Sequence, residues 1–446
     1  MPSAPDAPNP ILRALAIVVA VIVSAGLAMY LGGTRSDFEP ARRNGPLLLV
    51  HAPDGGHALW LALHQTEVRS RRIGGGRHSS GRWITERLYH LRLQVHAPDT
   101  TRPTLSRTLA VVHEKDSGHQ AVLRILGQQG DAIWLWLNDA PVLLAAVGGV
   151  QRAGLADLEA ANPDLAGLFP RELRHWTWME SLFVRLADGR LVRLDAATLL
   201  AHPHEVVDRE RFEHAGRQTS TWHGGYATAD FGVRHGRFGN DWVGLFSASE
   251  ASDAANDPWG DHLFSSAEVA DEGASARRRF WKATLGRTRE FSEGSHPRLL
   301  SLEPIGPERE WLQGRLLKAP SAPGDPQWLQ RGNTWRPAPG EPMRMSSPEG
   351  VLVLHRTRLD TRGRLALGRL GADLAPLWET QLPLAELSNR WPLPATLLLY
   401  GHVDDAPPGR SDRRELLVAV DLSDGSWRGW EVGGDRAAGG ATDAPN

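Results

Sequence analysis

The chain has 446 residues, a formal net charge of -2 and ordinary globular proportions, with 41% hydrophobic and 23% charged residues. Such a composition excludes a wholly disordered or collagenous chain, and the balanced charge excludes a basic nucleic-acid binder, so no nucleic-acid partner is expected. Cysteine is absent, which rules out disulfides, thiolate metal sites, iron–sulfur clusters and a cysteine nucleophile.

Residues 1–33 read as a short cytoplasmic tip and a transmembrane anchor. Ala14 to Leu31 (ALAIVVAVIVSAGLAMYL) carries no charge over 18 residues, the lower limit of the about 20 apolar residues that cross a bilayer core. Ala14, Ile17, Val21, Leu27 and Leu31 are among its anchoring residues. Arg13 can snorkel at one end, and Tyr30 suits the headgroup region at the other. A signal peptide cleaved after Ala28 competes with this reading; the length of the apolar run favours the anchor. One N-terminal apolar segment ahead of one large domain predicts a single-pass protein of the bacterial inner membrane, with its C-terminal domain in the periplasm.

Thr34 to Pro46, with two prolines, reads as a linker, and residues 47–432 as one β-rich domain. Leu47–His51 and Ala58–Leu63 flank a Pro-Asp-Gly-Gly turn. Arg82–His96 alternates as one long strand or two. Leu105–His113, Ala121–Leu126, Ile133–Leu137 and Val142–Val147 continue the series. Ile133–Leu137 (IWLWL) is apolar on both faces, as a strand between two sheets should be. Gly154–Phe169 has helical spacing, with Asn162 and Pro163 as an N-cap and N1 pair. Ser181–Ala187 and Arg190–Asp195 flank Asp188-Gly189, which predicts a type I′ hairpin. Further hairpins pair Val351–Arg358 with Arg364–Leu370 and Glu415–Asp421 with Trp427–Val432, and Leu384–Leu387 reads as a brief helical turn. Residues 433–446 read as a disordered tail.

Two stretches repeat one design, an apolar strand ending at an aspartate, a polar turn and a second strand: Leu182–Ala201 and Leu416–Trp430. Their turns, Asp195-Ala196-Ala197-Thr198 and Asp421-Leu422-Ser423-Asp424-Gly425, are similar to the Asp-x-x-Thr-Gly turns of quinoprotein-type and WD-type β-propeller blades. Leu199 stands where that pattern has glycine, and Asp424 where it has threonine. The resemblance implies a β-propeller-like domain, and at about 40–50 residues per blade the length suits six to eight blades. Most of the 17 tryptophans are then expected to fill the wedges between blades. Trp60, Trp83, Trp134, Trp136, Trp176, Trp178, Trp281, Trp311, Trp378 and Trp427 lie in or beside expected strands.

Two clusters stand out as candidate sites. His202, His204, Glu205 and His214 have the ligand types of a metal site, with an His-x-His pair that a strand would aim to one face. A surface loop is the plainer reading. His223, Asp230 and His235, with the loop tryptophans Trp222 and Trp242, lie in a glycine-rich stretch suited to a ligand or partner site. Walker, dinucleotide, HExxH and nucleophile-elbow motifs do not occur, and no cofactor is expected. The expected function is a membrane-tethered interaction or scaffold module with a protein partner. The alternative is an envelope enzyme, or a binder of a small ligand or metal, with its site at the propeller channel.

Overall fold

The structure is a computed structural model. It describes residues 34–52, 55–73, 82–114, 121–179, 181–204, 233–234, 242–249, 251–252, 277–291, 294–306, 308–317, 328–331, 334–337, 351–359, 363–371, 374–393, 395–403, 414–434 and 437–438. The Ala14–Leu31 segment lies outside them. Among the described residues no helix is long and apolar enough to cross a membrane.

These residues are mainly β, and all the strand pairs are antiparallel. Six meanders of four strands succeed one another along the chain, with a separate hairpin, Trp328–Arg331 and Thr334–Pro337, between the first and second strands of the fifth. Sheet I is built from Leu48–His51, His57–Ile73, Arg82–His96 and Pro103–His113, and sheet II from Leu123–Gln129, Ala132–Leu137, Ala140–Ala145 and Gln151–Gly154. Sheet III contains Trp176–Trp178, Leu182–Arg185, Leu191–Leu194 and Ala201–Pro203. Sheet IV contains Val233–Arg234, Trp242–Phe246, Arg277–Phe291 and Gly294–Pro304. Sheet V contains Trp311–Leu317, Val351–Arg356, Leu365–Leu370 and Pro376–Gln381, and sheet VI Glu386–Pro392, Thr396–His402, Glu415–Asp421 and Trp427–Glu431. A short pairing of Arg277–Arg278 with Trp311–Leu312 joins sheets IV and V edge to edge.

The sheets pack face to face because their central strands are apolar on both sides, and a period of two sends alternate side chains to opposite neighbours. Trp134 and Trp136 face Trp176, Leu182 and Val184 of sheet III. Their neighbours Ile133 and Leu135 face Trp60, Leu91 and Leu93 of sheet I. The other face of sheet I, Leu59, Leu61 and Leu63, packs on Leu398, Tyr400 and Leu417 of sheet VI. Sheet VI turns Leu397, Leu399, Leu416 and Val418 toward Leu352, Leu354 and Leu367 of sheet V. On the far side of sheet V, Trp311, Val353 and Leu370 meet Leu245 and Phe280 of sheet IV. The spatial order is therefore III, II, I, VI, V, IV, and the first sheet of the chain lies against the last. Among the described residues the sheets do not close into a barrel or ring.

A single turn recurs between the third and fourth strands. In sheet I, Ala97 N–H donates to Arg102 O at 3.0 Å and Thr101 N–H to Ala97 O at 2.8 Å. In sheet III, Asp195 N–H donates to Leu200 O and Leu199 N–H to Asp195 O, and in sheet VI the same bonds join Asp421 to Ser426 and Gly425 to Asp421. Sheet II shares the Ala145 N–H to Val150 O bond. The fifth residue is left-handed each time: Thr101 at φ 56, Gly149 at 61, Leu199 at 61 and Gly425 at 77. Where aspartate opens the turn, its Oδ1 accepts a backbone N–H two residues on, from Ala197 at 2.7 Å and from Ser423 at 2.8 Å. Sheet V shortens the turn by one residue, with Leu374 left-handed at φ 63.

Several expectations are corrected. The segment read as a linker contributes edge strands Thr34–Phe38 and Arg42–Arg43, both paired to His57–Ile73, because that strand runs far beyond the core and offers an open edge. Ala437–Ala438, in the stretch read as tail, pairs with Gly429–Trp430. Asp188-Gly189 is not a type I′ turn. Gly189 has φ 89, Asp188 is not left-handed, and Leu186 N–H bonds Arg190 O at 2.8 Å, which closes a three-residue loop of the kind in which one left-handed residue suffices. The helix forms at Leu155–Ala161, followed by a 3-10 turn at Pro163–Leu165. Asn162 does not cap the second turn; its side chain bonds Leu158 O, Leu199 O and Ala201 N. Leu384–Leu387 is a bend running into a strand, because its apolar residues are buried in the interface of sheets V and VI.

Candidate functional site

The two histidines expected as metal ligands sit at the outer edge of sheet III. His202 lies opposite Arg193 and is exposed. His204 anchors its backbone N–H on Leu191 O at 3.0 Å and sets its ring edge-on to Phe183 at 4.8 Å. Glu205 and His214 lie outside the described residues, and no group of three or more metal-ligating side chains assembles among the described residues. His223, Asp230, His235 and Trp222 also lie outside them. Trp242, expected in a loop, has strand backbone opposite Arg234 and Ala283, since its stretch supplies the second strand of sheet IV.

Beside His204 is a depression of about 570 Å³ between the helix and sheet III, lined by Asn162, Asp164, Arg190 and Leu191 among others. Two of its polar groups already have work within the fold. Asn162 bonds three backbone groups. Arg190 pairs with Asp188 at 2.6 Å, and this hydrogen bond holds the Asp188 carboxyl below its usual range.

Three polar clusters that patterning did not single out are built on the rigid strands. The first is in sheet V. His355 is 6% exposed in an otherwise apolar strand, with Nε2 at 3.2 Å from Glu379 Oε1 and Nδ1 at 3.1 Å from Arg356 O. Arg309 pairs with Glu379 at 2.6 Å and lies 3.8 Å above the Trp311 ring, which also meets the edge of His355 at 4.8 Å. The adjacent His355 ring, and then Arg309, hold Glu379 below the usual carboxylate range. The adjoining cavity, about 70 Å³ and lined by Gln313, Arg356 and Glu386, has room for about two waters at ~30 Å³ each. A carboxylate kept ionised beside an imidazole has the chemistry of a general base, and the cavity beside it is small.

The second cluster lies on the part of sheet I that projects past the core. Glu67, 3% exposed, accepts hydrogen bonds from Ser36 Oγ, from Arg69 Nε at 2.6 Å and Arg69 Nη2 at 3.1 Å, and its Oε2 lies 2.7 Å from His90 Nε2. Phe38 covers the His90 ring at 5.5 Å. Arg69 above all, with Ser36 and His90, pulls the Glu67 pKa down to about 2 against the cost of burial. The cluster pins the edge strand Thr34–Phe38 to its neighbours, because a buried carboxylate is tolerated where its lone pairs are filled.

The third is His96, 1% exposed where sheet I meets sheet VI. Its Nδ1 lies 2.7 Å from Thr101 O, so that nitrogen carries the proton, and Nε2 is buried without a hydrogen-bond partner. Burial pushes its pKa down to about 4. Its bond fastens the recurring turn of sheet I through the carbonyl of the left-handed residue.

A sequence signal existed for His355, which follows the apolar run Val351–Leu354, but not for His96, which ends a strand of alternating polar and apolar residues. None existed for Glu379 or Arg309, which reach His355 across other strands. The chain matches no protein-family model, and no similar curated protein is found.

Proposed function

We propose that this chain is a β-propeller-like scaffold of six blades, tethered to the bacterial inner membrane through Ala14–Leu31 and displayed in the periplasm, where it binds a protein partner. The observation that carries the reading is the repeat in three dimensions: six four-stranded meanders in succession, four of them with a turn of one design between the third and fourth strands and a fifth with that turn shortened by one residue. Face-to-face stacking with apolar wedges, and contact of the first sheet with the last, are what a ring of blades requires. A single blade buries too little apolar surface to stand alone, so repetition is how such a chain grows past the size of one compact core. The aromatic wedge residues Trp60, Trp134 and Trp136 are fully buried, which suits a rigid platform whose loops carry recognition.

Photo-crosslinking of the full chain in membranes, followed by capture and mass spectrometry, tests the reading. Reproducible recovery of the same protein from independent preparations is expected. Recovery of none, across probes placed on every sheet edge, would sink it. Protease treatment of spheroplasts should cut the C-terminal domain if it is periplasmic; protection would overturn the localisation.

A further inference from the structure

Sheet I is two structures in one. Its central strands, His57–Ile73 and Arg82–His96, have 17 and 15 residues, whereas the strands of sheets II and III have three to seven. Up to Leu63 the long strand is packed between sheets II and VI. Beyond it, the paired strands continue to the Ile73–Arg82 pair as an arm. At ~3.4 Å per residue, ten residues past Leu63 carry the arm roughly 35 Å from the core.

The register of the edge strand fixes where the preceding chain leaves this arm. Thr34 is opposite Arg71 and Phe38 opposite Glu67. The strand thus runs from the tip toward the core, and its first residue is beside the tip. Neighbouring strands are ~4.8 Å apart, and the three residues from Leu31 to Thr34 span at most ~11 Å when fully extended. Covalent reach therefore keeps the end of the uncharged Ala14–Leu31 run within roughly 16 Å of Arg71, two residues short of the last described pair of the arm.

The tip has the chemistry of a bilayer contact. The arm strands, residues 34–38, 66–73 and 82–88, hold Arg35, Arg69, Arg71, Arg72, Arg82 and Arg87 against Asp37, Glu67 and Glu86. Trp83, directly opposite Arg72, is 53% exposed, unlike the wedge tryptophans. An exposed Trp among arginines is the composition that partitions into an anionic headgroup layer, with the indole at the interface and the guanidinium groups on phosphates.

We propose that the distal end of the sheet I arm is a bilayer-contact surface that binds anionic lipid headgroups and props the stacked sheets away from the membrane. This rests on the reading of Ala14–Leu31 as a membrane segment. The cysteine-free sequence allows a direct test. The full chain carrying W83C, V147C or V21C, each labelled on its single introduced thiol with an environment-sensitive fluorophore, is reconstituted in vesicles of phosphatidylcholine with or without about 30% phosphatidylglycerol. Val147, 66% exposed in the sheet II turn, is the open reference. In the anionic vesicles the label at position 83 should be quenched by aqueous iodide roughly threefold less than the label at position 147. That protection should shrink at ~1 M salt, where the screening length falls to ~3 Å, and in an R72E/R82E background. Equal quenching of the two labels in both lipid mixtures would overturn the proposal. So would protection that arises only at protein concentrations where copies of the chain associate, which would assign the tip to a second copy. The V21C label reads the anchor independently. Protection there with an open label at position 83 keeps the anchor and removes the arm contact, while full quenching of the V21C label removes the anchor itself.

Discussion

The stacked body and the projecting arm are cut from the same two strands, yet they are held together by opposite means. Around Leu59–Leu63 every side chain is buried, and cohesion is the burial of Leu, Val and Trp, worth roughly 1.5–3 kcal/mol for each large side chain. Past Thr66 Leu88 is still buried, but no residue of the arm belongs to the apolar clusters between sheets among the described residues. Cohesion there comes from one buried carboxylate with filled lone pairs, and from ion pairs such as Arg71 with Glu86 at 3.5 Å. The difference teaches that strand length alone does not extend a core; a strand outlives its partners only if its side chains change chemistry at the boundary.

The largest test of that contrast is a pair of tryptophans. Trp134→Ala empties the wedge between sheets II and III, where the ring is 0% exposed, and should cost ~3–5 kcal/mol in urea unfolding. Trp83→Ala on the arm should stay within about 0.5 kcal/mol. Similar costs for both would refute the division.

Acid separates the regions next. An unfolded histidine takes up a proton below its ordinary 6.5, but folded His96 resists until about 4. Its contribution is complete above pH 6.5, falls as pH drops toward 4, and is flat below. Over that window the body should lose roughly 3 kcal/mol more in the wild type than in His96→Gln. Parallel stability curves would show that His96 is protonated in the fold. Glu67 acts in a lower window: its contribution is present above the ordinary 4.5 and is lost as pH falls through about 2.

On the arm, Glu67→Gln removes charge-assisted bonds worth ~1.5–3 kcal/mol. Amide exchange of Thr34–Phe38 should quicken by about tenfold or more, while the body keeps its protection. A global drop in the unfolding midpoint instead would mean that the arm and body unfold as one unit. The smallest effect belongs to the turns. Asp195→Ala and Asp421→Ala each lose an acceptor for at least one backbone N–H, for about 1 kcal/mol, read as a small drop in the urea midpoint.

Much of this was legible beforehand. Alternation and turn residues located the four strands of sheet I and three of sheet II, but only two each of sheets III, V and VI and none of sheet IV. Helical spacing located Leu155–Ala161, and nine of the ten strand tryptophans proved at least partly buried, with Trp83 the exception. The repeat was harder to see, because the turn asks for backbone conformation and not for a residue. Thr101, Gly149, Leu199 and Gly425 share one left-handed position, yet two of the four are not the glycine that marks such sites in sequence. The arm was missed for another reason. Arg82–His96 was ambiguous between one strand and two, and nothing in Thr34–Phe38 announces a partner about 30 residues away. The His355–Glu379–Arg309 group depends on contacts across separate strands, which no local pattern encodes.

The contact between the first sheet and the last has a consequence for biosynthesis. The Leu59–Leu63 face of sheet I is completed by Leu398, Tyr400 and Leu417, about 340 residues later in the chain. At ~5–20 residues per second of synthesis, that face waits roughly 15–70 seconds for its cover. Sheets II and III can close on one another meanwhile, but the opening sheet stays sticky until the final one emerges. The nascent chain is thus suited to a holding chaperone, and a truncation before residue 386 leaves two apolar faces permanently open, one on sheet I and one on sheet V.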